Sequence, residues 1–313
     1  MLGKTAGGLF WMFRFLERGE NTARLLEAGF RMALTRSYDT ESEWQSVVTT
    51  SGAEQGYSAK YSGYTDVQVM DYLLRDTGNP SSVLSVMQSA RDNARLVRTA
   101  LTTEVWEAVN DSWMTLRELL AEPVMPVDLP ATLAIIRKQS ALVRGALYGT
   151  MLRNDIYDFA RIGTFLERAD FTARIIDVKY YTLLPSASAV GSSLDNVQWE
   201  MILRSVSAHR CFRWLDEAEM NATSIANFLI FDKRLPRSLA FCVKQTNENL
   251  RYLEQEYEVR HPSHDLAERL GLRLKKLNIQ TIFDQGLHDF ITDFISANNS
   301  LGVQIERDFR FNE

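Results

Sequence analysis

The chain is predicted to be all-α, a single helical bundle domain made of two duplicated helical units related by a pseudo-twofold. Three observations predict this. Only seven prolines and 16 glycines punctuate 313 residues. Most segments between them place apolar residues at the three-and-four spacing of a helix, and strand-like alternation is hard to find. The third observation is a repeat, in which a shift of 150 residues superimposes one charged helix on another.

Taken in chain order, the periodicity predicts helices over residues 6–35, 41–51, 65–75, 81–121, 129–150, 156–183, 195–230, 237–258 and 265–306, the longer ones expected to break. In Asn79-Pro80-Ser81, a capping residue precedes a proline suited to a first helical turn. Pro123, Pro126 and Pro130, with Asp128 among them, form a helix-breaking connection. Tracts 52–64 and 185–196 are rich in Ser, Gly and Tyr or Ala and read as surface loops or short helices.

The repeat is densest between residues 15 and 27, where seven of 13 columns are identical at the shift of 150. Phe15-Leu16-Glu17-Arg18 falls on Phe165-Leu166-Glu167-Arg168, and Thr22-Ala23-Arg24 on Thr172-Ala173-Arg174. Glu20 meets Asp170 and Glu27 meets Asp177. With small insertions the match continues: Trp44 pairs with Trp199, then Asp76, Pro80, Ser82, Asn93 and Arg95 pair with Asp232, Pro236, Ser238, Asn249 and Arg251. We therefore expect one domain over residues 1–313, with repeat 1 at 1–150 and repeat 2 at 151–313. No turn-rich linker separates the two, so a shared core is expected rather than separate beads.

Composition narrows the function. Forty acidic and 35 basic residues give a formal net charge of -5, without the basic excess of a nucleic-acid binder. Cys211 and Cys242 are too few for a disulfide framework and form no CxxC pair. The apolar run Gly7–Phe13 ends at Arg14 and Glu17 without a small-residue cleavage site, which argues against a signal peptide. No stretch reaches the roughly 20 apolar residues of a membrane span. A cytoplasmic location is expected, with neither nucleic acid nor membrane as partner.

The charged helices are where chemistry would reside. Glu17, Glu20 and Arg24 stand at i, i+3 and i+7 and so share one face, as do Glu167, Asp170 and Arg174, while Arg18 and Arg168 are expected to point about 100° away. Apolar residues fill most of the remaining circumference, so both helices are expected to be central and their charges partly buried. Buried charges must pair. One reading is a structural ion network fixing the register of the two units; the other is a polar site on the pseudo-twofold axis that binds a ligand or a partner tail. General experience with ionic networks puts the structural reading first.

Other candidates are weaker. A di-iron centre in a bundle uses Glu-x-x-His pairs from two helices, but His209, His261, His264 and His288 all lie in the second half; a carboxylate-only Mg or Mn site is the alternative, with Arg24 and Arg174 competing for its carboxylates, and the expectation is no metal or other cofactor. His261 and His264 flank Pro262 where a helix start is expected, and Cys211 reads as a buried cysteine rather than a nucleophile. Arg91, Arg95 and Arg98 form a basic stripe at i, i+4 and i+7, read first as a solvated face and second as an anion or acidic-partner surface. Phosphate-loop, dinucleotide, nucleophile-elbow and zinc-protease motifs are absent, which leans away from a common enzyme class.

The residues Leu9-Phe10-Trp11-Met12, Phe15-Leu16-Glu17-Arg18-Gly19-Glu20-Asn21-Thr22-Ala23-Arg24, Asn79-Pro80-Ser81-Ser82, Ala90-Arg91-Asp92-Asn93-Ala94-Arg95 and Gly163-Thr164-Phe165-Leu166-Glu167-Arg168-Ala169-Asp170, in this order, closely resemble the bacterial alpha-E family of helical domains with a Glu-Arg motif. The similarity spans essentially the whole chain. The resemblance implies a circularly permuted ATP-grasp ligase as partner, often with a transglutaminase-like protease nearby, and thus a system that makes, modifies or trims a peptide or amide-bonded product. It places the family's Glu-Arg residues at Glu17, Arg18, Glu167 and Arg168. One departure is Thr164, where the family's second copy often has arginine. The leading expectation is a helical accessory subunit that binds the ligase or presents its peptide substrate. Its rivals are an enzyme using Glu17 or Glu167 with Arg24 or Arg174, and a ligand-free homodimeric scaffold in which some of the six tryptophans anchor the interface.

Overall fold

The computed structural model describes residues 1–35, 40–182, 193–215 and 219–313. Among them the regular structure is helical, with fifteen α-helices: α1 (Gly3–Thr35), α2 (Thr40–Ser51), α3 (Glu54–Ser58), α4 (Asp66–Leu74), α5 (Val83–Leu96), α6 (Thr103–Leu119), α7 (Leu129–Thr150), α8 (Asp155–Thr182), α9 (Ser193–Ser205), α10 (His209–Arg213), α11 (Ala222–Phe231), α12 (Leu239–Tyr257), α13 (Pro262–Lys276), α14 (Ile279–Gln285) and α15 (Leu287–Asp308). The tract 185–196 lies largely outside the described residues, only its end entering α9.

The expected long helices break where the backbone gives a reason. The run 81–121 divides at a 3-10 turn over Arg98–Ala100, after which Thr102 caps α6 by accepting from the Val105 amide. The run 195–230 breaks at Ser207, which adopts a left-handed φ of 56°, and again where Asn221 caps α11. The run 265–306 becomes three helices, with Asn278 capping α14 and Gly286, at φ 108°, separating α14 from α15. Only glycine takes the Gly286 conformation without strain. Asn79 does not cap a helix: Ser82 does, accepting from the Ser85 amide, while Asn79 is buried and ties the preceding turn through its side chain to the Tyr72 carbonyl and the Ser81 amide.

α1 and α8 form the centre and pack most extensively on each other. Their contacts climb together, from Phe10 against Gly163 to Arg14 against Glu167 and Glu17 against Arg168, so the helices run side by side in the same direction. Gly163 sets their spacing. A Cβ there would sit 2.2 Å from the Phe10 carbonyl oxygen, so any other residue would push the backbones apart. α5 and α7 flank α1, with α6 between them, while α12 and α15 flank α8, with α13 between them. α2 contacts both central helices and so does α9.

The core follows from these contacts. Met12, Phe13, Leu16, Leu26, Phe165, Ile176, Trp44 and Trp199 lie in one large buried cluster. Leu9, Phe10, Phe159, Ile162, Leu253, Leu301 and Ile305 form a second around the first turns of the central helices. Removing such side chains from water is the dominant favourable term. α1 and α8 are apolar around most of their circumference, so the charges they carry inward are enclosed rather than solvated.

Candidate functional site: a reciprocal Glu-Arg exchange

Glu17 is 2% exposed and receives a two-pronged grip from Arg168, Nε to Oε1 at 2.9 Å and Nη2 to Oε2 at 2.8 Å. Glu167 receives the same from Arg18, at 2.6 Å and 3.0 Å. Each Glu-Arg dipeptide therefore gives its acid to the other helix's arginine and its arginine to the other helix's acid. This corrects the expectation that Arg18 and Arg168 turn away from the carboxylates. They turn away from the carboxylates of their own helix, and across a parallel helix pair that direction leads to the neighbour. Paired forks of this kind fix orientation as well as distance.

Further arginines complete two clusters. Around the first, Arg237, from the turn before α12, reaches Glu17 at 3.0 Å, Glu20 at 2.8 Å and the Asn21 side-chain oxygen at 3.0 Å. Arg144 of α7 reaches Glu20 as well, and Arg24 grips it from one turn along at 2.6 Å and 3.0 Å. Two carboxylates thus hold four guanidiniums. Around the second, Arg14 adds to Glu167 at 2.9 Å, and Asp170 pairs with Arg174 at 2.7 Å. Arg14, Arg144, Arg237 and Asn21 were not singled out from the sequence. Arg237 lies between Pro236 and Ser238, in the proline-serine pattern that marks the start of α12, and that was the available signal.

The electrostatics match the geometry. Burial pushes the Glu17 carboxyl up, but Arg168, Arg237 and Arg144 outweigh it and hold the group well below the usual carboxylate range. Burial likewise opposes ionisation of Glu167, and Arg18 with Arg14 bring it down to about 2. Glu20 is also lowered, against burial and the repulsion of Glu17. Arg237 bears the excess of positive charge: burial, with repulsion from Arg24 and Arg168, pulls it down to about 10 despite Glu17 and Glu20. Cys242 lies beside the cluster, where burial pushes its thiol up to about 12, so it is chemically quiet. Cys211 is only partly buried, contrary to the expectation for it.

The second cluster opens onto a cleft of about 240 Å³ lined by Arg18, Asn21, Thr22, Ser81, Asp170 and Arg174 among others. Asn21 is buried, and its Nδ2 has no hydrogen-bond partner while its oxygen accepts from Arg237. At the rim, Gly52 at φ 75° lies against the Arg174 guanidinium, just as Ser207 at φ 56° accepts a hydrogen bond from Arg24.

The remaining sequence candidates do not join this site. α5 ends at Leu96, so the Arg91, Arg95, Arg98 stripe is broken: Arg91 donates to Asn110, Arg95 is exposed, and Arg98 stacks over Trp106. Thr164 is buried and bonds back to the Ala160 carbonyl. His264 accepts from the His261 amide and faces the Leu250 carbonyl through Nε2, a structural histidine at the start of α13. Among the described residues, no group of three or more His, Cys, Asp or Glu side chains is placed to hold a metal ion. No described helix is long and apolar enough to cross a membrane.

Fold and site together define an all-helical domain organised by paired Glu-Arg helices. Residues 1–309 match the Alpha-E family, described as a predicted alpha-helical domain with a conserved ER motif, and the chain belongs to that family. It is also similar to two uncharacterized proteins, one from Mycobacterium bovis and one from Mycobacterium tuberculosis, each 20% identical over 286 residues. That match takes in 86% of this chain but only 32% of either relative, so the chain spans about a third of the length of the curated relatives it matches. No solved structure matches it.

Proposed function

We propose that this protein is a cytoplasmic helical accessory subunit of an ATP-grasp-dependent peptide synthesis or modification system, one that binds the ligase or presents its peptide substrate. In this reading the Glu-Arg helices form the clamp that sets the shape of the presenting surface. The observation that carries it is the reciprocal exchange itself, in which Glu17 and Glu167 are buried, doubly gripped and ionised. A carboxyl held near 2, as Glu167 is, is a weak base and cannot serve as an acid at neutral pH. That weighs against either glutamate moving a proton in a reaction of its own.

The ligase partner comes from the family resemblance. A match over only 32% of the relatives supports a module that works beside further polypeptide. The cleft beside Arg18, Asp170 and Arg174 offers a peptide both charges. We also read the two halves as copies of one unit, a reading supported by the matched pairs Arg24 with Ser207 and Arg174 with Gly52 at left-handed corners. The competing homodimer reading has one observation in its favour, Trp214 at 75% exposure; a monomer by light scattering removes it.

The test is co-purification and size exclusion with a circularly permuted ATP-grasp ligase from the same organism. A stable complex, with or without ATP and peptide, is the expected result. Failure to associate under every condition would refute the proposal.

A further inference from the structure

A second cleft, of about 390 Å³, lies outside the Glu-Arg exchange, where the last turns of α1 meet α7 and the corner between α9 and α10. Arg31, Arg137, Arg204 and Arg210 line it together with His209 and Ser207. Among the described residues two carboxylates pair directly with the cleft's arginines, each engaged from two sides, while Glu20 acts on Arg137 from within its own arginine cluster. Glu27 is shared by Arg31 at 2.9 Å and by Arg137. Glu200 is shared by Arg204 at 2.6 Å and by His209 Nε2 at 3.1 Å. With His209 neutral, the cleft carries an excess of two positive charges.

Its surroundings add to that excess. Arg24 reaches the rim at Ser207, and the arginine-rich cluster around Glu17 and Glu20 lies behind it. The crowding shows in the titrating groups: burial and the neighbouring Arg24 push the Arg137 guanidinium down, and burial with Arg204 beside it pushes His209 below its ordinary value.

We propose that this cleft binds a small molecule through a doubly charged phosphate group. Its size is that of a small-ligand site. Guanidinium forks match phosphate oxygens in geometry and charge. A phosphate monoester carries about -1.5 to -2 near neutral pH, which balances the excess, whereas a singly charged anion leaves half of it unanswered. Ser207 contributes a hydroxyl. Its oxygen accepts from Arg24, so its own proton remains available to a phosphate oxygen.

Calorimetry on the full chain at fixed ionic strength tests this with two probes, glycerol 2-phosphate as the doubly charged ester and dimethyl phosphate as its singly charged counterpart. The ester is expected to bind saturably, one per chain, at least about tenfold tighter than dimethyl phosphate, since tenfold corresponds to about 1.4 kcal/mol and charged hydrogen bonds contribute that much. Arg204→Gln combined with Arg210→Gln should weaken it by about tenfold or more and leave the melting temperature unchanged, because both side chains are exposed. Arg31→Gln on the α1 side gives an independent loss in the same direction, while Arg91→Gln with Arg95→Gln changes nothing. On binding, the His209 ring should titrate at higher pH in NMR spectra. Equal affinity for the two probes, no saturable binding of the ester, or full affinity in both the Arg204/Arg210 and Arg31 variants would overturn the proposal.

Discussion

At the scale of single residues, Glu17 shows why position in the helix pair matters more than charge alone. It is enclosed by Arg168, Arg237 and Arg144, so neutralising it strands guanidiniums in a low-polarity setting. Glu17→Gln should cost about 3–5 kcal/mol in chemical denaturation, the usual cost of breaking a buried pair. Glu27→Gln, at a partly exposed pair with Arg31 and Arg137, should cost no more than about 1 kcal/mol.

Acid titration provides a second residue-scale prediction, and its sign follows from the direction of each shift. Glu167 titrates lower in the folded chain, about 2, than its ordinary 4.5, so its contribution to stability is present above 4.5 and is lost as pH falls toward 2. Glu17 follows the same course. Asp158 behaves oppositely: burial pushes its carboxyl up to about 7, with Asp155 and Glu256 adding to the shift against Arg161. Relative to the unfolded chain it destabilises increasingly as pH rises from its ordinary 3.8 toward 7. Asp158→Asn should therefore raise stability at pH 8 and have little effect at pH 4, as read by melting temperature across pH.

Part of this was legible in the sequence. The helical spacing of Glu20 with Arg24 and Asp170 with Arg174 predicted pairs that the structure contains. The exchange of Arg18 and Arg168 was not legible, because a residue's helical angle refers only to its own helix and nothing local specifies the neighbour's face. Arg144 and Arg237 were hidden for the same reason: each lies more than a hundred residues from its carboxylate partners, and only tertiary packing brings them together.

At the scale of elements, helix existence followed from periodicity while helix continuity did not. The expected spans 129–150, 156–183 and 237–258 nearly coincide with α7, α8 and α12. Apolar spacing carries across a break of one to three residues, so the corners at Ser207 and Gly286 left the pattern intact. The close approach of α1 to α8 also has a compact sequence signal in Gly163, though only the structure shows that the Phe10 carbonyl is what it accommodates. Gly163→Ala should destabilise by about 3 kcal/mol, the upper range for overpacking, because the obstacle is backbone rather than a flexible side chain. Denaturant midpoints at unchanged slope would register this as a loss of stability without loss of compactness.

At the scale of the whole molecule, α1 and α8 each bring a group of flanking helices to the centre, and the exchanged ion pairs lie where those groups meet. On this account the Glu-Arg dipeptides couple the two halves of the fold, and any ligase-binding or ligand-binding surface inherits its shape from that coupling. A double-mutant cycle over Glu17→Gln, Arg168→Gln and the combined variant, read by urea denaturation, addresses this directly. The account predicts a coupling energy of about 2–3 kcal/mol, with the double variant more stable than the sum of the single losses implies. Single effects that add to within about 0.5 kcal/mol would contradict it, because two independent residues behave that way.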